Sequence, residues 1–100
     1  MIIKFENEYL EKLYTGEPLK GKPKYSDVVV VKFKKTILVL KNASNSVELN
    51  KFKSLHFEDL KGDKNGLYSV RVDNGYRLEF RITNEMIEII HIEKLSKHYQ

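Results

Sequence analysis

Residues 67–92, LYSVRVDNGYRLEFRITNEMIEIIHI, decide the fold. Three short runs rich in β-branched and aromatic residues, 67–72, 76–82 and 86–92, are separated by Asp73-Asn74-Gly75 and Asn84-Glu85. They predict three strands joined by tight turns. A three-residue turn with Gly75 in the left-handed region pairs Val72 with Tyr76, Val70 with Leu78 and Tyr68 with Phe80. A two-residue Asn74-Gly75 turn would set Arg71 opposite Leu78 and mix the faces, so the longer turn is expected. In the second hairpin a two-residue turn sets Ile82 beside Ile87, Phe80 beside Ile89 and Arg81 beside Glu88. The expected core face is then Tyr68, Val70, Val72, Tyr76, Leu78, Phe80, Ile82, Ile87 and Ile89. On the other face Arg71 stands opposite Arg77. Like charges across a strand pair repel, so this register calls for an anion, either Glu79 or a bound phosphate. A solvated face with Glu79 and Glu88 as partners is the plainer alternative. Ile90 and Ile92 fall on the charged face, and the register requires something to cover them.

Upstream, Ile2-Ile3-Lys4-Phe5 reads as a short strand. Asn7 is placed to cap a helix bearing Tyr9, Leu10 and Leu13 on one face, with Gly16 ending it. Residues 15–24, TGEPLKGKPK, hold both prolines and form a connector. Residues 26–42 contain four consecutive valines, but Val29, Val30, Phe33, Ile37 and Leu40 recur at three- and four-residue steps. That spacing predicts a helix capped by Ser26 or Asp27 and closed at Asn42. Residues 43–66 read as a loop with a helical turn. The expected fold is α+β in the order β-α-α-β-β-β, with two N-terminal helices on one face of an antiparallel meander.

The chain of 100 residues fits one domain, residues 1–100. It has no cysteine, which excludes disulfides and thiolate chemistry. No apolar run reaches the roughly 20 residues of a membrane span, and Met1 to Glu6 is too soon charged for a signal peptide. A small, soluble, cytoplasmic protein without membrane partners is expected. The 18 Lys+Arg against 14 Asp+Glu leave a net charge of +4, which favours polyanions without specifying one. All three arginines, Arg71, Arg77 and Arg81, fall within eleven residues. Their planar forks suit phosphate.

His56, His91 and His98 lack close ligand spacing, so no metal or other cofactor is expected. A nucleophile elbow and a P-loop are both absent from the sequence. Lys61-Gly62 forms a basic turn before the first meander strand, a common surface feature. The chain closes on Lys97-His98-Tyr99-Gln100, where a histidine and a tyrosine offer proton transfer. The lysines Lys32, Lys34, Lys35 and Lys41 suit either an acidic partner or a solvated helix face.

The stretch from Leu60 to Ile82, LKGDKNGLYSVRVDNGYRLEFRI, resembles the HigB branch of the RelE/ParE toxin superfamily. The matching residues are Lys61, Gly62, Gly66, Leu67, Tyr68, Ser69, Tyr76, Arg77, Leu78, Phe80 and Arg81. The expected element order agrees along the whole chain. The resemblance implies the toxin of a type II toxin-antitoxin system, an mRNA endoribonuclease acting on the ribosome and held by a HigA-like helix-turn-helix antitoxin. It implies metal-free attack of a 2′-hydroxyl on the adjacent phosphodiester. Arg77 would then stabilise the phosphorane and Lys61 would hold phosphate or assist proton transfer. His98 would serve as base and Tyr99 as a stacking or acid group. Beside these, Arg71, Arg81 and His56 are expected to contact RNA phosphate. A gyrase-directed toxin on the same fold and a nonenzymatic RNA-binding or repressor module are the alternatives.

Overall fold

The computed structural model describes residues 1–62 and 66–97. Strand β1 (Ile2–Phe5) leads through Asn7 into helix α1 (Glu8–Thr15). The Asn7 carboxamide oxygen accepts from the Leu10 N–H at 3.1 Å, while its NH2 donates to the Glu93 carbonyl at 3.2 Å. One side chain thus caps the helix and pins its start to the last strand. Gly16 ends α1 at φ 82, a left-handed backbone that glycine adopts without a Cβ clash.

Helix α2 (Asp27–Asn42) is capped by the Ser26 hydroxyl on the Val29 N–H. The valine run is therefore helical, as the longer period requires. Val29, Phe33, Ile37 and Leu40 are buried on its inner face. Burial of each such side chain is worth roughly 1.5–3 kcal/mol, more than the small helix penalty of β-branching.

The predicted loop 43–66 is more structured than expected. It holds two short 3-10 segments, Ser46–Lys51 and Lys53–Leu55, and a strand β2 (Glu58–Leu60). Strands β3 (Leu67–Asp73), β4 (Tyr76–Glu85) and β5 (Ile87–Lys97) complete the chain. The expected order β-α-α-β-β-β thus gains one strand. The sheet order is β1-β5-β4-β3-β2, antiparallel except for the parallel β1–β5 pair. The α+β class holds, with both helices contributing to the core on one sheet face.

The first hairpin takes something from each turn considered. Asp73 pairs with Tyr76 around a two-residue Asn74-Gly75 turn, and the Asp73 carboxylate accepts from the Gly75 N–H at 2.9 Å. Gly75 is not left-handed, contrary to expectation. A bulge between Arg71 and Asp73 then restores the expected pairs Arg71–Arg77, Val70–Leu78 and Tyr68–Phe80.

The second hairpin corrects the expected register. The chain reverses at Met86 (φ 79), and Ile82 pairs with Ile90, Arg81 with His91 and Phe80 with Ile92. Ile90 and Ile92 are fully buried, whereas Ile87 is exposed. This register places Ile90 and Ile92 against the helices and moves Ile87 and Ile89, expected in the core, to the charged face opposite Glu85 and Thr83. A further bulge beyond Glu79 brings Leu95 beside Leu78 in the core.

Candidate functional site

The helix-free face of the sheet carries the chemistry. Glu58 of β2 pairs with Ser69 of β3, and Ser69 with Glu79 of β4; two residues along, the next pair on the same face is Arg71 with Arg77. Alternation along the strands therefore gathers Glu58, Ser69, Glu79 and Arg77 on one surface.

Arg77 is only 8% exposed, yet it is not sealed against aliphatic neighbours. Its Nε donates to the Ser69 hydroxyl at 2.9 Å, and its Nη2 donates to the His56 carbonyl at 2.5 Å. The same Nη2 lies 3.8 Å from a Glu58 carboxylate oxygen. Its Nη1 has no hydrogen-bond partner among the described residues. No buried side-chain nitrogen or oxygen among those residues lacks a partner, so Nη1 reaches the surface. The guanidinium is thus anchored through Nε and Nη2, and Nη1 keeps some contact with the surface.

His56 serves here through its backbone. It sits at φ 45 in the left-handed region, and its carbonyl holds Arg77 while its side chain stays exposed. Glu79 was one anion expected to relieve the arginine pair. It is 5% exposed and accepts from the Ser96 hydroxyl at 2.5 Å, whereas Glu58 is the carboxylate ion-paired with Arg77. The sequence reading missed Glu58 and Ser69 as site residues. Ser69 was legible in principle, as a hydroxyl on the arginine face at the level of Glu79.

Arg71 is level with Arg77 but lines a groove with Lys32, Lys35, Thr36, Val39 and Leu55, toward α2. Arg81 does not pair with Glu88. It forms an ion pair with Glu93 at 2.9 Å, and its guanidinium lies over Gly66. Glu88 instead accepts from the Ser46 N–H and hydroxyl. Lys61 is exposed and follows Leu60, which pairs with Leu67 and through it is level with Arg81. At about 3.3 Å per residue, that level lies about 13 Å along β4 from Arg77. The ladder therefore associates Lys61 with Arg81 rather than with Arg77. His98 and Tyr99 lie outside the described residues. Lys97, the last one described, pairs with Tyr76 beside Arg77.

His91, level with Arg81, bridges two strands. Its Nδ1 meets the Glu6 carboxylate at 3.0 Å and its Nε2 the Thr83 hydroxyl at 2.8 Å. The hydrogen bond from His91, with the nearby charge of Lys4, holds the Glu6 carboxyl below its usual range. Among the described residues no group of three or more His, Cys, Asp or Glu side chains is placed to hold a metal. Among them, too, no helix is long and apolar enough to cross a membrane.

A guanidinium held in this way can donate to a phosphodiester through its remaining N–H groups, and the adjacent carboxylate can accept a proton. The fold that carries it is shared with solved toxins. The YoeB/ParE toxin from Agrobacterium tumefaciens is 17% identical with a TM-score of 0.61, covering 99% of this chain and 100% of that one. YafQ from E. coli is 12% identical with a TM-score of 0.65, over 96% of this chain and 91% of that one. A YoeB dimer from Staphylococcus aureus is 20% identical with a TM-score of 0.55, over 99% and 98% of the two chains. At these identities the likeness is one of fold, and the class so defined is the RelE-like toxin fold. Curated proteins give no match. The family is shown by its own sequence model: residues 3–94 match the HigB-like toxins, and the chain belongs to this family, the RelE-like toxins of the type II toxin-antitoxin system HigB. Membership implies an antitoxin partner.

Proposed function

We propose that this toxin is a metal-independent endoribonuclease that cuts mRNA on the ribosome, in the cytoplasm, until an antitoxin holds it. The observation that carries the reading is the Arg77 guanidinium, fixed by Ser69 and the His56 carbonyl, with Nη2 beside Glu58 and Nη1 reaching the surface. In the reaction the 2′-oxygen of one nucleotide bonds to its own 3′-phosphorus and the bond to the next 5′-oxygen breaks. The products are a 2′,3′-cyclic phosphate and a 5′-hydroxyl. Arg77 supports the extra negative charge on the phosphorane, where a preorganised donor is worth most. The 2′ proton goes to a base and the leaving oxygen takes one from an acid. His98 is the base that the family resemblance implies, and Tyr99 the stacking or acid group. Glu58 adds a second proton acceptor beside Arg77. Lys61 and Arg81 serve a neighbouring phosphate of the same strand, given their distance along the sheet from Arg77. Arg71 extends the cationic surface, and the exposed His56 ring can contact phosphate.

The test is primer extension on cellular mRNA after inducing wild type, Arg77→Lys or Arg77→Ala. Cuts inside translated codons are expected in wild type and at least a hundredfold fewer in Arg77→Ala. Arg77→Lys keeps a charge but loses the fork, and falls between them. Growth arrest with intact messages that persists in Arg77→Ala would overturn the reading in favour of a gyrase-directed toxin.

A further inference from the structure

Helix α2 has a second, outward face that the core does not use. Val28 is 62% exposed, Val31 51% and Leu38 48%. Positions 28, 31, 35, 38 and 42 (Val, Val, Lys, Leu, Asn) follow the alternating three- and four-residue spacing of a coiled-coil seam. They fall within about a quarter-turn on a helix of 3.6 residues per turn, opposite buried Phe33 and Leu40. Lys32 flanks this seam on one side, and Lys34 and Lys41 flank it on the other. From residue 28 to residue 47 the chain has no Asp or Glu.

We propose that this face of α2 is the docking surface for an amphipathic helix with acidic flanks, supplied by the antitoxin. The proposal rests on the type II toxin reading, and it adds which surface is held and what chemistry holds it. A solvated lysine helix has no use for three exposed aliphatic side chains along one ridge, whereas a helix partner buries them. A second copy of this chain is disfavoured, because paired seams would set lysine against lysine. RNA would neutralise the lysines but leave Val28, Val31 and Leu38 unmatched. A partner with apolar residues in the seam and carboxylates on its flanks satisfies both features.

The test uses the full-length toxin and the antitoxin encoded beside its gene, with affinity, growth and message cleavage measured separately. Leu38→Asp and the double variant Lys34→Glu/Lys41→Glu should each weaken antitoxin binding at least tenfold. Both should leave growth arrest intact, so that the antitoxin no longer relieves it. Circular dichroism melts verify folding, and Lys34→Ala/Lys41→Ala provides a milder variant with a smaller loss. Unchanged affinity in all variants overturns the proposal. So does competition by ribosomal RNA with no effect of Leu38→Asp, or a wild-type dimer that Leu38→Asp dissociates. Wild type that binds antitoxin but cuts no message would sink the nuclease reading and leave this surface standing.

Discussion

Gly66 and Ser69 stand three residues apart at the start of β3, and each faces an arginine of β4. The Arg81 guanidinium lies where a Gly66 side chain would begin, with Nη1 2.9 Å from an ideal Cβ, and Gly66 itself sits at φ 87. Gly66→Ala therefore meets two obstacles: left-handed backbone, about 1–2 kcal/mol for a residue with a Cβ, and displacement of Arg81 from its place beside Glu93. A loss of about 1–2 kcal/mol in urea unfolding is expected, and a variant as stable as wild type would contradict this account. Ser69 is 1% exposed and accepts from Arg77 Nε. Ser69→Ala leaves a donor of a nearly buried cation without its partner, at about 1–3 kcal/mol. It should also lower message cleavage even where the protein remains folded, because the fork loses one of its anchors. These contacts give a physical reason for a glycine and a serine at these two motif positions.

At the scale of elements, α2 separates two kinds of apolar residue that look alike in sequence. Phe33 is fully buried and Val31 is half exposed. Phe33→Ala should cost about 3–5 kcal/mol through lost burial and the cavity left behind. Val31→Ala should stay within about 0.5 kcal/mol in the isolated toxin. Thermal melts of the two variants check the contrast. The helices were legible because caps and period agreed: Asn7 and Ser26 hold the first free N–H groups, and Phe33, Ile37 and Leu40 recur on one face. The β4–β5 register was not, because the reversal falls on Met86 at positive φ, a conformation no methionine advertises. Asn84-Glu85 carried the stronger turn signal, yet both lie within β4. Strand β2 was hidden by its brevity and by two acidic residues in three, and Glu58 was hidden with it. Arg77 was legible because alternation and the first hairpin alone fix its face. Separating Lys61 from Arg77 needed the β2–β3 pairing, which no local pattern encodes.

At the scale of the whole molecule, two contacts join segments far apart in sequence and give stability its pH dependence. Glu6, the residue after β1, and His91 tie the end of β1 to β5. Because the folded state lowers the Glu6 pKa, this contribution is present above the ordinary carboxylate value and fades as pH falls through the lowered one. Surface exposure keeps that acid limb shallow. The alkaline limb belongs to Tyr25, whose hydroxyl donates to the Leu95 carbonyl at 2.8 Å and whose ring meets Tyr76 edge-on at 5.6 Å. Burial, then the neighbouring Tyr76 and Tyr9 phenols, raise its pKa. The unfolded chain therefore gives up this proton first, at about pH 10. Stability is full below that value and declines as pH rises toward the folded pKa, where the donor to Leu95 is lost. Tyr25→Phe should cost about 1 kcal/mol at neutral pH through the missing hydrogen bond. Between pH 9 and 11, roughly the range around a free phenol's titration, its melting temperature should fall less steeply than that of wild type. Parallel curves for the two proteins across that range would show that the proton resides elsewhere, since Tyr9 and Tyr76 are kept in both.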